Sequence, residues 1–301
     1  MNSIRSLFGG TYGDVLFAVL SALLGAYSVV FLRLFSRNAT TVTISLLGFP
    51  RSGKTVYLTT LFDALQRESR DGLRFVPYGR ETIEEVTSNL NLLAEGVWLP
   101  RTPPGNVFFY RANAVISGPL LRRRLKIEIG DYAGERMEEM NPSSSRWLHK
   151  TDYFKYAVQS DAVMLALDTQ VILSADPSER EQMQNAFVAA VQVLAEEKGA
   201  TEDRKLRAPV ALLFMKYDVA RDRRRAELLE RVPRLIEVCE TRCRNFEVFY
   251  VSSTGPLDKE GAPPRHLESE GVADPLVWIL RKQMLGNFPL AAARLLSRQH
   301  T

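Results

Sequence analysis

Cysteine is nearly absent. Two in 301 residues are too few for a disulfide framework. Cys239 and Cys243 stand four apart in a helical-looking stretch, so they read as reduced thiols on one helix face, without a zinc or redox role. Histidine is almost as scarce, and His149, His266 and His300 show no metal-ligand spacing. There is no nucleophile-elbow or catalytic-triad signature, no internal repeat and no low-complexity tract. An excess of one charge sign is missing too. Lys plus Arg total 39 against 35 Asp plus Glu; Arg5, Arg33, Arg37 and Asp14 fall in the first 37 residues, so the remainder carries 36 against 34, a net of +2. A body so close to neutral argues against a dedicated nucleic-acid binder, despite a pI of about 9.1.

What is present is an ordinary globular balance, 46% hydrophobic and 25% charged, but unevenly spread. Val15 to Leu32 is an 18-residue run without a charge. As a helix it would cover about 27 Å, close to the hydrocarbon thickness of a bilayer. Leu34 and Phe35 extend it beyond Arg33, so residues 15–35 are read as a single transmembrane anchor behind a short tail, residues 1–14. Apolar residues on every face argue against a buried amphipathic helix, and Asp14 with no prompt small-x-small site argues against a cleaved leader. Arg33 and Arg37 at its C-terminal end place the body, residues 38–301, on the cytoplasmic side of a membrane.

The body opens with Thr41 to Leu47, alternating and β-branched, hence a strand. Directly after it stands Gly48-Phe49-Pro50-Arg51-Ser52-Gly53-Lys54-Thr55, followed by the helical pattern Val56 to Gln66. This is G-x-x-x-x-G-K-T in the strand-to-helix context that the motif requires. The spacing suits a loop wrapped around an anion: Gly48 and Gly53 let the chain turn so that successive N–H groups point inward, and the helix N-terminus adds partial positive charge. Lys54 then neutralises β- and γ-phosphates and the Thr55 hydroxyl ligates Mg²⁺.

Further strands are expected over Asn106 to Tyr110 and Leu125 to Ile129, flanking the Gly118-Pro119 turn as an antiparallel hairpin at a sheet edge. Asp161 to Asp168, Pro209 to Phe214 and Phe246 to Val251 read as strands of the buried parallel type. Helices are expected over Glu181 to Glu197, Arg224 to Arg244 and Pro275 to Leu285. The alternation predicts an α/β, doubly wound, mostly parallel six-stranded sheet with one antiparallel edge strand, ligands binding at the carboxyl ends of the strands. Glu81 to Glu95 looks like an added helix, within an insertion at about residues 78–98.

These residues resemble the Ras-like branch of P-loop GTPases, from Thr41 to about Leu285. The resemblance implies a GTP/GDP site with Mg²⁺. It assigns Gly48, Arg51, Ser52, Gly53, Lys54, Thr55 and Val56 to the phosphate loop. Asp131-Tyr132-Ala133-Gly134 matches D-x-x-G, implying that Asp131 holds Mg²⁺ through water and that the Gly134 N–H senses the γ-phosphate. Met215-Lys216-Tyr217-Asp218 falls where the family has N-K-x-D, implying that Lys216 packs over the base and Asp218 accepts from guanine. Ser252 and Ser253 fall where backbone groups contact the guanine oxygen, and Thr102 is the candidate switch threonine on Mg²⁺. Catalysis is assigned to Lys54, Gly134 and Glu135, the last standing where a water-orienting glutamine is usual.

Two departures matter. Met215 cannot make an asparagine's hydrogen bonds, which leaves an ATPase open as an alternative. Glu135, while ionised, cannot donate to water and repels a γ-phosphate, so slow hydrolysis is expected, and a non-hydrolysing binding or scaffold module is the other alternative. Arg51 is read either as an exposed contact or as an in-chain cation for transition-state charge. The arginines at 122–124 and 221–225 read as solvated faces or as contacts to anionic lipid. The chain is thus expected to be a membrane-anchored switch for an unidentified protein partner. Two narrower likenesses stand side by side: the beta subunit of the signal-recognition-particle receptor, for its anchor, and bacterial double GTPases, for Gly48-x-Pro-x-Ser-Gly-Lys-Thr and Gly96-Val97-Trp98-Leu99-Pro100.

Overall fold

Alternation within the strands sets the layering. A computed structural model describes residues 40–67, 72–101, 107–117, 122–132, 152–174, 176–199, 205–223, 225–257 and 261–286, with Ser21 and Gly25. In chain order the elements are β1 (Thr40–Gly48), α1 (Lys54–Arg67), β2 (Leu73–Pro77), α2 (Arg80–Ala94), β3 (Val107–Ser117), β4 (Arg122–Tyr132), α3 (Asp152–Gln159) and β5 (Ala162–Asp168). Then follow α4 (Thr169–Leu173), α5 (Pro177–Lys198), β6 (Val210–Met215), a 3₁₀ turn (Tyr217–Ala220), α6 (Arg225–Glu230), α7 (Pro233–Arg242), β7 (Phe246–Val251) and α8 (Asp274–Gly286).

The strands form one seven-stranded sheet in the order β2-β3-β4-β1-β5-β6-β7. All neighbouring pairs from β4 to β7 are parallel, whereas β3 is antiparallel to both β2 and β4. The expected six-stranded sheet with an antiparallel edge strand is therefore corrected on two points. The sheet has a seventh strand, β2, and the antiparallel strand β3 lies inside it. Five residues containing Arg74 and Pro77 carry too short a pattern to announce a strand, and pairing of Leu73–Pro77 with Ala112–Ile116 is what makes one. The hairpin strands are also longer than their apolar centres, pairing from Val107 opposite Tyr132 to Ser117 opposite Arg122.

Strands β5 and β6 are buried along their whole length, and successive residues feed opposite layers. Val163, Leu165, Leu167, Leu212 and Phe214 pack with Phe154 of α3, Phe187, Val191 and Leu194 of α5, and Leu235 of α7. Met164, Ala166, Ala211 and Leu213 face the other way, towards Leu58, Leu61 and Phe62 of α1 and Leu276, Ile279 and Leu280 of α8. Period 2 in the sheet and helices on both faces give the doubly wound arrangement its two cores. Strand β7 departs from the buried type. It is the far edge, with only Val251 fully covered. The Arg224 to Arg244 helix is in fact two, α6 and α7, because Pro233 can start a helix but not continue one. Cys239 lies in α7 and Cys243 just beyond its end in extended backbone; both are buried free thiols.

Strand β2 and helix α2 are stitched to the rest of the sheet and to α1. Phe75 of β2 meets Phe62 of α1 edge-on at 4.9 Å. Where β2 stops, the Tyr78 N–H donates to Arg111 O, the Arg111 N–H donates to Thr82 Oγ1 at 3.1 Å, and that hydroxyl donates to Phe109 O at 3.3 Å. Asn89 of α2 donates from Nδ2 to Thr59 Oγ1 of α1 and to Glu85 Oε1. The expected anchor, residues 15–35, lies outside the described residues apart from Ser21 and Gly25. Among the described residues no helix is long and apolar enough to cross a membrane.

Candidate functional site

At the carboxyl ends of β1, β5 and β6 lies a cavity of about 560 Å³. Its floor is the loop between β1 and α1. Arg51 (φ 63°) and Gly53 (φ 88°) adopt left-handed backbone, which a glycine tolerates freely and an arginine rarely does. Such strain persists only where surrounding structure imposes it, and it collects at ligand sites. Gly48 is required for a different reason. A Cβ there would stand 2.9 Å from Ser52 Oγ and 3.0 Å from both Cβ and O of Ala166, so only a bare backbone lets the loop lie against β5.

Lys54 opens α1 as a buried side chain, and its Nζ donates to Gly48 O at 2.9 Å and Phe49 O at 3.0 Å. It makes no ion pair among the described residues. Burial pulls its ammonium down to about 8, partly opposed by the Asp131 carboxylate. Asp131, near the end of β4 and beside Leu46 of β1, is equally buried. Burial raises its pKa against the lowering pull of Lys54 and of the Thr55 hydroxyl, with Glu85 of α2 adding to the rise. Thr55 Oγ1 donates to Asp131 Oδ2 at 2.8 Å, while Asp131 Oδ1 is buried without a hydrogen-bond partner. Two charged groups are thus held where burial disfavours both, an arrangement that a bound anion and cation would relieve.

The other half of the cavity gathers separate segments. Lys216 has left-handed backbone (φ 56°), and its Nζ bonds Asp168 Oδ2 at 2.6 Å and Gln170 Oε1 at 3.2 Å. Asp168 also caps α4 by accepting from the Gln170 N–H at 2.9 Å. Ser252 Oγ donates to Asp218 Oδ1 at 2.9 Å and itself accepts from the Gly255 N–H at 3.2 Å. Met215 ends β6 buried in the core beneath α1 and α8 and borders the cavity. Trp98 closes the opposite rim, and its Nε1 donates to Gly261 O at 2.9 Å.

The structure thus brings Arg51, Ser52, Gly53, Lys54, Thr55, Val56, Lys216, Asp218 and Ser253 to one cavity. Gly48 stands just behind, accepting from Lys54, and Asp131 reaches the cavity through Thr55. Ser252 does not line it: the side chain is buried and supports Asp218 from behind. Thr102, Gly134 and Glu135 lie outside the described residues. Sequence reasoning passed over Arg101, Gln170, Val219 and Leu257 in the lining. The aspartate ending β5 was the available signal for the Lys216 partner, but a lone strand-end carboxylate has no motif around it.

The family model for Double-GTPase 2 matches residues 42–263, which span the loop, the insertion, both halves of the cavity and Gly261. The chain belongs to the Double-GTPase 2 family. It is therefore a GTP-binding protein with a P-loop GTPase fold, and of the two narrower resemblances the double-GTPase one is borne out. No curated protein matches the sequence. Among solved structures it is similar to the small GTPase Arl6 (BBS3) of Trypanosoma brucei with bound nucleotide analogue GppNp, at 15% identity and a TM-score of 0.42, over 81% of this chain and 98% of that one. In this double GTPase, Lys54 and Lys216 lie some 160 residues apart in sequence yet line one cavity.

Proposed function

We propose that the chain hydrolyses GTP slowly to GDP and phosphate with Mg²⁺ and acts as a conformational switch read by a protein partner. The observation that carries this reading is the convergence of Lys54, Thr55, Lys216 and Asp218 on one cavity, with Asp131 bonded to Thr55 behind it. The Mg²⁺ expected of such a site fits the residues present. Thr55 Oγ1 and the unpartnered Asp131 Oδ1 are hard oxygen donors, and Mg²⁺ bound with phosphates needs only one or two protein ligands. Thr55, Asp131 and Thr102 would hold it, and when bound it would neutralise charge on the β- and γ-phosphate oxygens.

Lys54 leaves its two carbonyl partners for the phosphates, joined by the loop N–H groups and the amino end of α1. Lys216, fixed by Asp168 and Gln170, covers the base, and Asp218 accepts from guanine. Glu135 accepts a proton from the attacking water but cannot donate to it, and its charge opposes the γ-phosphate. The unassisted rate is therefore near or below about 10⁻⁴ per second. Gly134 senses the γ-phosphate, and the segments around Thr102 and after Asp131 take different conformations with GTP and GDP. Residues 15–35 anchor the chain in a membrane through lipid contact, with residues 38–301 as one GTPase domain facing the cytoplasm.

The identity of the co-purified nucleotide tests the binding reading, and single-turnover hydrolysis tests the cycle. Rapid phosphate release without any partner would sink the slow-switch reading. Glu135 also favours a second reading, in which GTP is a structural ligand of a non-hydrolysing scaffold. GTP still intact on the protein after hours with Mg²⁺ would select it. Carbonate extraction of membranes from expressing cells tests the anchor, which fails if the full chain is released.

A further inference from the structure

The segment Gly96–Arg101 leaves α2 and crosses the cavity mouth as an irregular strap. Its attachment is unusual for a loop. Trp98 is 42% exposed, yet its indole N–H reaches 163 residues along the chain to Gly261 O. That bond fixes the strap at the base-recognition end. Pro100 holds the preceding residue extended, so three residues beyond that pin the chain can reach about 10 Å along the cavity lining. There stands Arg101, exposed and lining the same cavity as Lys54, Thr55 and Arg51. Among the described residues it makes no hydrogen bond or ion pair.

Charge at the phosphate end calls for such a group. Lys54 is the buried cation of the floor and is opposed by Asp131 behind Thr55, while Lys216 is committed to Asp168. Glu135, next after D-x-x-G, adds a further negative charge in sequence. The loop N–H groups serve the phosphates that GDP and GTP share and Lys54 spans the β- and γ-phosphates, so a cation delivered from outside the loop adds charge on the phosphate that only GTP has. Arg51 belongs to the loop itself, the part of the site that both nucleotides would meet.

The geometry points to Arg101 as a γ-phosphate-binding residue that makes the site discriminate GTP from GDP, carried on a strap pinned by the Trp98–Gly261 hydrogen bond. This rests on the GTP-site reading above and deepens it. Engagement of a third phosphate by Arg101 draws the strap down, and the strap continues into α2. Nucleotide state is thereby passed to the insertion through covalent chain, besides any change after Asp131.

Titrations of the full chain with GDP and with GppNp, in Mg²⁺, decide the matter. Arg101→Ala should weaken GppNp roughly 10- to 100-fold, as for a lost charge-assisted pair, and leave GDP within about threefold. Arg101→Lys should recover part of the loss. Trp98→Phe keeps the ring but removes the donor to Gly261, and should lower the GppNp preference part of the way. Arg51→Ala should shift both nucleotides by similar factors. A GppNp-to-GDP ratio that stays at the wild-type value in both Arg101 variants, with unaltered thermal unfolding, overturns the proposal and leaves the site reading intact. Failure of the wild-type chain to bind either nucleotide overturns both.

Discussion

The two halves of the cavity, the loop half around Lys54 proposed for phosphates and the half around Lys216 and Asp218 proposed for the base, are built in opposite ways. The first is one contiguous stretch, Pro50 to Val56, whose shape is dictated by backbone: left-handed Arg51 and Gly53, and a Gly48 pressed against Ala166. The second is assembled from the strap at Trp98, from Gln170, from Lys216 and Asp218, and from Ser253, Thr254, Leu257 and Gly261, and its shape is dictated by side chains bonded across long separations. A backbone-built site tolerates little substitution but depends on few partners. A side-chain-built site spreads its energy over supports that are individually weak.

Four substitutions test that contrast, in decreasing order of effect. Lys54→Ala removes the one buried cation of the loop and should lower affinity for guanine nucleotide on the order of 100-fold or more, read by titration with a fluorescent GDP. Retention of wild-type affinity would show that the floor has been misassigned. Asp218→Asn should cost roughly 10- to 100-fold in GTP affinity with little change for ATP, because only the guanine edge donates to that carboxylate. Equal losses for both nucleotides would mean that the base half is not a base half. Gly48→Ala should destabilise the fold by about 1–3 kcal/mol in urea, since the methyl meets backbone as well as a hydroxyl. An unchanged midpoint would show that loop and β5 are looser than the contacts imply. Ser252→Ala leaves Asp218 in place without its hydroxyl donor and should weaken GTP only about 2- to 10-fold. A loss as large as that of Asp218→Asn would place Ser252 on the nucleotide itself.

The same contrast explains what could be read from the residues. Gly48 to Thr55 declares its purpose because spacing along the chain is the geometry, and β1, β5 and β6 declare theirs because burial on both faces leaves unbroken apolar runs. Lys216 and Asp218 were legible by position at a strand end, but the acids and amides that orient them were not. Asp168 and Gln170 are ordinary residues until β5 and β6 pair and set Asp168 opposite Met215. The Ser252 side chain supports Asp218 from behind the lining, a placement that sequence could not give because it shows a serine at the strand end but not which way its hydroxyl faces. Strand β2 escaped notice because its strand character comes from its partner β3 rather than from its own five residues. Arg101 carries no motif of its own, since a lone arginine beside a proline has no spacing that marks it for a cavity.

The short β2 also has a consequence for the molecule as a whole. An eleven-residue β3 standing alone at the sheet edge would offer a long ladder of free amides and carbonyls to any other extended chain, the usual template for runaway strand addition. Here Leu73–Pro77 covers one part of that ladder, and Tyr78 and the Thr82 hydroxyl cover the next. The edge left outward is five residues long and ends in a proline, which has no amide hydrogen to give. The β2–α2 segment therefore covers the sheet edge as well as carrying the strap. Deleting it to make a smaller GTPase would expose a sticky edge before it revealed anything about nucleotide.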